Sequence, residues 1–272
     1  GPTYKIANLV GGRNNILLSV ECQDNLKYVI KNYGFDGEDR LDREWSFLSR
    51  LECSGLSCVP RPIFCDIYGR IAVFSFLPGK KLSASSISPK NIANASSFIS
   101  KVARVDVEGL REAKDAHFSF EGHVKSIEGR VNALEVASRS RHSNDEFKYF
   151  LAEELRPFWE ETKQRVFLPR YDRYWNTIRC FLSPSDFGFH NILHSDSRLN
   201  FIDFEYAGID DIVKLFADFI LQPNLPFDLE QEKYFLGLAS SKFVDILDEH
   251  WLYRYNKLKP LFVIKWSLIM LN

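Results

Sequence analysis

The feature that most constrains the fold is a change of hydrophobic period near residue 78. Before it, apolar residues come in short runs of strand type. After it, they recur at helical spacing. "YKIANLV" and "NILLSVEC" flank the turn-forming "GGRNN", and "LKYVIKNY" adds a third strand rich in β-branched and aromatic residues. "RLDREWSFLSRLEC" interrupts them with Leu41, Trp45, Leu48 and Leu51 at helical intervals. "IFCDIYG" and "RIAVFSFL" read as one more hairpin. The break, "PGKKLSASSISP" at 78–89, is rich in Pro, Gly, Ser and Lys and differs from both flanks. Beyond it, residues 91–104, 122–138, 145–165, 209–220, 229–239 and 241–272 carry helical spacing. The expected fold class is α+β and bilobal. Residues 3–77 form a small antiparallel-sheet lobe with one helix, 78–89 the linker, and 90–272 a larger, mainly helical lobe.

Bulk properties remove several function classes. A formal net charge of -1 gives no basic excess for nucleic acid or an anionic membrane. The closing apolar run "PLFVIKWSLIMLN" is broken by Lys265 and is too short to span a bilayer. The 5 cysteines are an odd number in a large chain, so reduced thiols and a cytoplasmic setting are expected rather than a disulfide scaffold. Cys53, Cys58 and Cys65 lie close together without zinc-knuckle intervals.

Chemistry concentrates in "SPSDFGFHNILHSDSRLNFIDFEYAG", residues 183–208. The short runs "FHNIL" and "LNFIDF" read as two small strands joined by "HSDSR". Asp186 and Asn191 stand in an Asp-x-x-x-x-Asn spacing, and Asp203 follows the apolar "NFI". A carboxylate at the end of a buried strand is costly unless it is paired or binds metal. Upstream, a Gly-rich turn precedes a strand lysine and then a helix glutamate. Protein kinases use this order of parts for phosphoryl transfer. Each part alone has an ordinary structural use: "GGRNN" as a hairpin turn, Ser-Pro-Ser-Asp as a loop.

Taken together, "SPSDFGFHN", "IDFEYAG", "VIK", "GGRNN" and "FLPGKKL" resemble the aminoglycoside phosphotransferase and choline kinase group, within the protein-kinase-like fold. The likeness runs in order along nearly the whole chain. It implies an ATP-dependent (alternatively GTP-dependent), magnesium-requiring kinase acting on a hydroxyl of a small molecule. Asp186 is then the catalytic base. Asn191 and Asp203 hold magnesium, with Glu205 beside them. Gly11, Gly12, Asn14 and Asn15 form the phosphate loop. Lys31 grips phosphate, with Lys27 as its rival, and Glu44 holds the lysine, with Asp42 as its rival. Ser75, Phe76 and Leu77 form the hinge that reads the base.

Departures are equally specific. The family histidine two places before the catalytic aspartate is Pro184 here, and a family aspartate on the following helix is Leu215. Asp211 or Asp218 is the expected substitute for its structural hydrogen bonds. "DFEYAG" runs straight into a helical segment, too short a span for a protein-substrate platform. Segments 121–170 and 205–272 mix both charge signs, which disfavours a polycationic drug and favours a sugar-like or amino-alcohol acceptor. A silent nucleotide-binding module is the alternative of another class. His190 is expected to pack the loop, His194 to sit on the hairpin surface, and Trp175, Trp251 and Trp266 to serve the core.

Overall fold

Alternation of Val29 and Lys31 with Tyr28 and Ile30 sets the first layer. In a computed structural model, residues 4–9, 15–140, 145–166, 174–175, 178–196 and 198–271 are described. Five antiparallel strands form one sheet in the order β1-β2-β3-β5-β4. They are β1 (Tyr4–Asn8), β2 (Ile16–Cys22), β3 (Lys27–Asn32), β4 (Pro62–Asp66) and β5 (Ile71–Ser75). The β2–β3 and β3–β5 registers place Lys31 opposite Leu17 and Ala72, and Val29 opposite Phe74. Helix α1 (Glu38–Cys53) packs on this sheet, with Glu38 and Asp39 complementing its N-terminal dipole. Its buried stripe is Leu41, Glu44, Phe47, Leu48 and Leu51, so a charged residue lies within the apolar face.

The chain beyond β5 stays tied to neighbouring strands. Phe76 N–H donates to Lys27 O at 3.0 Å. Lys80 and Lys81 form β6, which joins β8 (Ile192–Ser195) and β9 (Arg198–Phe201) in a second sheet. Gly79 permits this join: a Cβ there would lie 2.8 Å from Leu193 Cβ, at φ +141°. Ser88 then caps α2 (Pro89–Val102) by accepting from Asn91 N–H.

The larger lobe is helical: α2, α3 (Phe120–Ser140), α4 (Asp145–Tyr149), α5 (Arg156–Val166), α6 (Ile212–Leu221), α7 (Leu229–Lys242) and α8 (Trp251–Leu271). A π-helical stretch, Phe150–Leu155, joins α4 to α5. Aromatic packing runs from α1 into the larger lobe. Phe47 of α1 meets Phe204 at 4.7 Å between centroids, and Phe98 of α2 stacks on Phe201 at 3.9 Å. Phe187 continues the contact to Phe219 of α6 at 4.9 Å.

One segment differs from the sequence expectation. Residues 209–211 were expected to begin a helix, but β10 (Gly208–Asp211) pairs with β7 (Cys180–Ser183), and α6 starts afterwards. Asp211 accepts from Val213 N–H and caps α6, which ends the extended run. Gly208 is required where residues 111–113 cross, since a Cβ would lie 2.6 Å from Ala113 N and Arg111 O. Of the tryptophans expected in the core, Trp175 is fully buried, while Trp251 and Trp266 are half-buried. Among the described residues, no helix is long and apolar enough to cross a membrane.

Candidate active site

Lys31 emerges from the inner end of β3 into a ring of acids. Its Nζ lies 2.7 Å from Glu44 Oε2, 2.8 Å from Asp203 Oδ1 and 3.4 Å from Glu205 Oε2. Glu44 is fixed from three sides, because Tyr33 OH donates to Oε2 at 2.6 Å and Phe204 N–H donates to Oε1 at 3.1 Å. Burial alone would lower the Lys31 pKa, but Glu44, Asp203 and Glu205 together hold it above the usual lysine range. Burial also pushes the Glu44 carboxyl up, with the Lys31 ammonium pulling against it. The Tyr33 phenol is driven up by burial and by the charge of Glu44. The rival residues lie elsewhere: Lys27 pairs with Glu21 at 3.3 Å, and Asp42 with Arg111 at 3.0 Å.

The loop after β7 positions Asp186. Ser185 sits at φ 63°, and its N–H donates to Ser183 Oγ at 3.1 Å. Ser185 Oγ donates to Lys114 O at 3.3 Å, anchoring the turn to the chain crossing behind it. Asn191 Nδ2 donates to Asp186 O at 3.1 Å, which closes the loop and fixes the amide orientation. The Asp186 side chain is 34% exposed, yet its Oδ1 is buried with no hydrogen-bond partner among the described residues. Asp203 does not end a strand as expected. Strand β9 stops at Phe201, and Asp203 occupies the left-handed region at φ 68°, with a side chain 39% exposed. Such a backbone is strained for a non-glycine residue, although Asp tolerates it better than most.

Leu17, Val29, Phe74, Phe76, Leu77 and Ile202 wall an apolar cleft of about 340 Å³, with Lys31, Asn191 and Asp203 at its polar end. Ser75, the last residue of β5, also lines it. Gly11, Gly12 and Asn14 lie outside the described residues. Asn15 is placed: its Nδ2 donates to Glu205 Oε2 at 2.5 Å and its Oδ1 accepts from Arg40 Nη1 at 2.8 Å. Arg40 also lies 3.4 Å from Glu205. Sequence reasoning missed Arg40, Tyr33 and Lys81. Arg40 had a signal, since it precedes Glu44 by four residues and so shares its face of α1.

The donor set suits a hard cation. Oxygens of Glu44, Asp203 and Glu205 lie within 4.8 Å of one another, and the Asn191 amide lines the same cleft. Three carboxylates face one lysine, with Arg40 beside Glu205, so the cluster holds negative charge toward the cleft.

No family model matches the sequence, and no curated protein does. Solved structures match along nearly its full length. A Plasmodium vivax ethanolamine kinase superposes with a TM-score of 0.63 at 18% identity, over 98% of this chain and 75% of that one. The choline kinase LicA from Streptococcus pneumoniae gives 0.63 at 20%, over 98% and 84%. An ADP-bound aminoglycoside phosphotransferase gives 0.63 at 14%, over 97% and 94%.

The chain has the protein-kinase-like fold.

Within that fold, Lys31, Glu44, Asp203, Glu205 and Asn15 meet at one point. Asp186 and Asn191 stand on the adjoining loop, and Ser75, Phe76 and Leu77 stand on the cleft wall. The departures also find their places. Asp211 caps α6 and pairs with the buried Arg254 at 3.1 Å, and Asp218 pairs with Lys265 at 2.8 Å and Lys214 at 3.3 Å. The hydrogen bonds of the Asp186 loop described above come instead from its own serines and Asn191.

Proposed function

We propose that this chain is a small-molecule kinase that transfers the γ-phosphoryl group of ATP to a hydroxyl of a sugar-like or amino-alcohol metabolite. The observation carrying the reading is Lys31, clamped by Glu44 at the polar end of an apolar cleft that also presents Asp203 and Asn191. The apolar walls take the flat base, with Ser75, Phe76 and Leu77 at the hinge. Lys31 binds phosphate, and Glu44, locked by Tyr33 and Phe204 N–H, keeps its ammonium aimed. Asp203 and Asn191 are the residues that would hold magnesium, with Glu205 beside them. The bound ion would supply positive charge to the phosphate oxygens. Asp186 aims the acceptor hydroxyl and receives its proton; an alcohol reacts only when aligned with the phosphorus, and a carboxylate at hydrogen-bond distance does this. Ethanolamine and choline kinases share this fold, which supports an amino-alcohol acceptor.

The test is ATP turnover against a panel of sugars, amino alcohols and aminoglycosides, with magnesium or EDTA, and with GTP as a second donor. Asp186→Asn should lower kcat about 10²- to 10⁴-fold while nucleotide binding persists. Absence of any magnesium–ATP binding would sink the reading. Tight binding without turnover on the whole panel, unchanged by Asp186→Asn, points to a silent nucleotide-binding module.

A further inference from the structure

Asp186 presents two different faces. Among the described residues its Oδ1 is buried and has no hydrogen-bond partner, while the side chain as a whole is 34% exposed. The group facing Oδ1 is His190, whose Nε2 lies 3.6 Å away. That is beyond hydrogen-bond length and within reach of a small rotation. The other ring nitrogen, Nδ1, is buried and has no partner among the described residues. A buried donor without an acceptor is costly, so the neutral ring keeps Nδ1 bare and carries its proton on Nε2, toward Asp186.

Gly188 makes this seat. Its backbone is extended, so conformational freedom is not why a glycine stands there. A Cβ at 188 would lie 2.7 Å from His190 Nδ1, 3.0 Å from His190 Cε1 and 3.0 Å from Gln222 Cγ. The imidazole fills the volume a side chain at 188 would occupy. Phe189, fully buried between them, pins the short turn against Phe219 at 5.4 Å. Glycine at 188 and histidine at 190 therefore work as a pair.

We propose that His190 is a positioning residue for Asp186. Its Nε2–H donates to Oδ1 as the acceptor alcohol docks, which leaves the opposite oxygen to accept the hydroxyl proton. This rests on the kinase reading above. Apo hydrogen bonds of this kind are often long and tighten in the loaded complex.

The experiment has an activity arm and an activity-independent arm. In the first, His190→Gln keeps a donor and His190→Phe keeps ring volume without one. Both are assayed for magnesium–ATP turnover with ethanolamine, choline and water as acceptors. His190→Phe should lose about ten- to a hundredfold in kcat at unchanged KM for ATP, the size of one hydrogen bond to a charged group. His190→Gln should recover most of it, and Gly188→Ala should resemble His190→Phe. A packing role predicts the reverse order, with His190→Phe the better variant, and overturns the proposal. In the second arm, ¹⁵N NMR of the His190 ring should report the Nε2–H tautomer, and an Nδ1–H tautomer overturns the proposal. A wild-type protein that binds no magnesium–ATP and turns over no acceptor of the full sugar, amino-alcohol and aminoglycoside panel overturns the kinase reading and, with it, this role. Normal turnover with equal variants overturns the role of His190 alone.

Discussion

Replacing Lys31 with methionine isolates the electrostatic centre of the site. Methionine keeps the length and apolar contacts of the side chain and removes the charge. Glu44 would then stay buried, still accepting from Tyr33 OH and Phe204 N–H, with its nearest cation gone. A buried carboxylate in that position takes up a proton rather than remain charged. The work of protonation sets a ceiling on the penalty. From the ordinary value of 4.5 it comes to roughly 3 kcal/mol at pH 7 and roughly 1 kcal/mol at pH 5.5. The sign follows from the direction of the shift. A carboxyl raised in the folded state destabilises above its unfolded value, and the effect vanishes as pH falls to that value. Urea unfolding of both proteins in EDTA at pH 7 and 5.5 measures it. The Lys31→Met penalty should stay below the ceiling at pH 7, because burial already raises Glu44 in the wild type, and should shrink at pH 5.5. The emptied ring of three carboxylates should also gain affinity for magnesium without nucleotide, and an ion at a hundred times its Kd returns about 2.7 kcal/mol. A penalty below about 0.5 kcal/mol at both pH values, or one that grows as pH falls, refutes this account of Lys31 and Glu44.

Three further outcomes follow from other parts of the fold. Glu128 ties α3 to α5, accepting from Trp159 Nε1 at 2.6 Å and Arg156 Nη1 at 2.5 Å. Burial raises its carboxyl, but these partners and Lys163 overcome that and hold it at about 2. Glu128→Gln should therefore cost about 1–2 kcal/mol at pH 7, after allowance for solvent screening of a partly exposed pair, with the difference fading as pH falls from 4.5 toward 2 in paired denaturation curves. Phe98→Ala should destabilise by about 3–5 kcal/mol in the same assay, since the ring stacks on Phe201 and touches Phe187 and Phe204. Lys27→Ala, on the rival lysine, should change stability by less than about 0.5 kcal/mol and leave the KM for ATP unmoved, because its ion pair with Glu21 is exposed.

Much of this was legible because it is local. Strand period around Val29 and Lys31 and helical period from Leu41 to Leu51 are short-range signals, and each found its element. The pairing of β7 with β10 was not legible, because nothing near Cys180 or Gly208 announces a partner more than twenty residues away. Arg40 and His190 escaped for a similar reason. Arg40 reads as a solvated helix cation until Asn15 and Glu205 come to it from other elements. His190 reads as packing because it does pack. The closure of the loop is what turns Nε2 toward Asp186.

Proline at 184 adds no backbone donor, and leucine at 215 adds no polar side chain. A histidine at 184 would carry a backbone N–H needing an acceptor. Proline has no N–H, so the demand disappears. Leu215 is buried in the α6 core beside Phe216 and Phe219. Support for the loop moves to Ser183 Oγ, which accepts from Ser185 N–H, and to Ser185 Oγ on Lys114 O. Leu215→Asp takes a carboxylate into the α6 core and should cost about 3–5 kcal/mol in urea unfolding at pH 7. A cost below about 1 kcal/mol would show that this core supplies water or a donor at position 215.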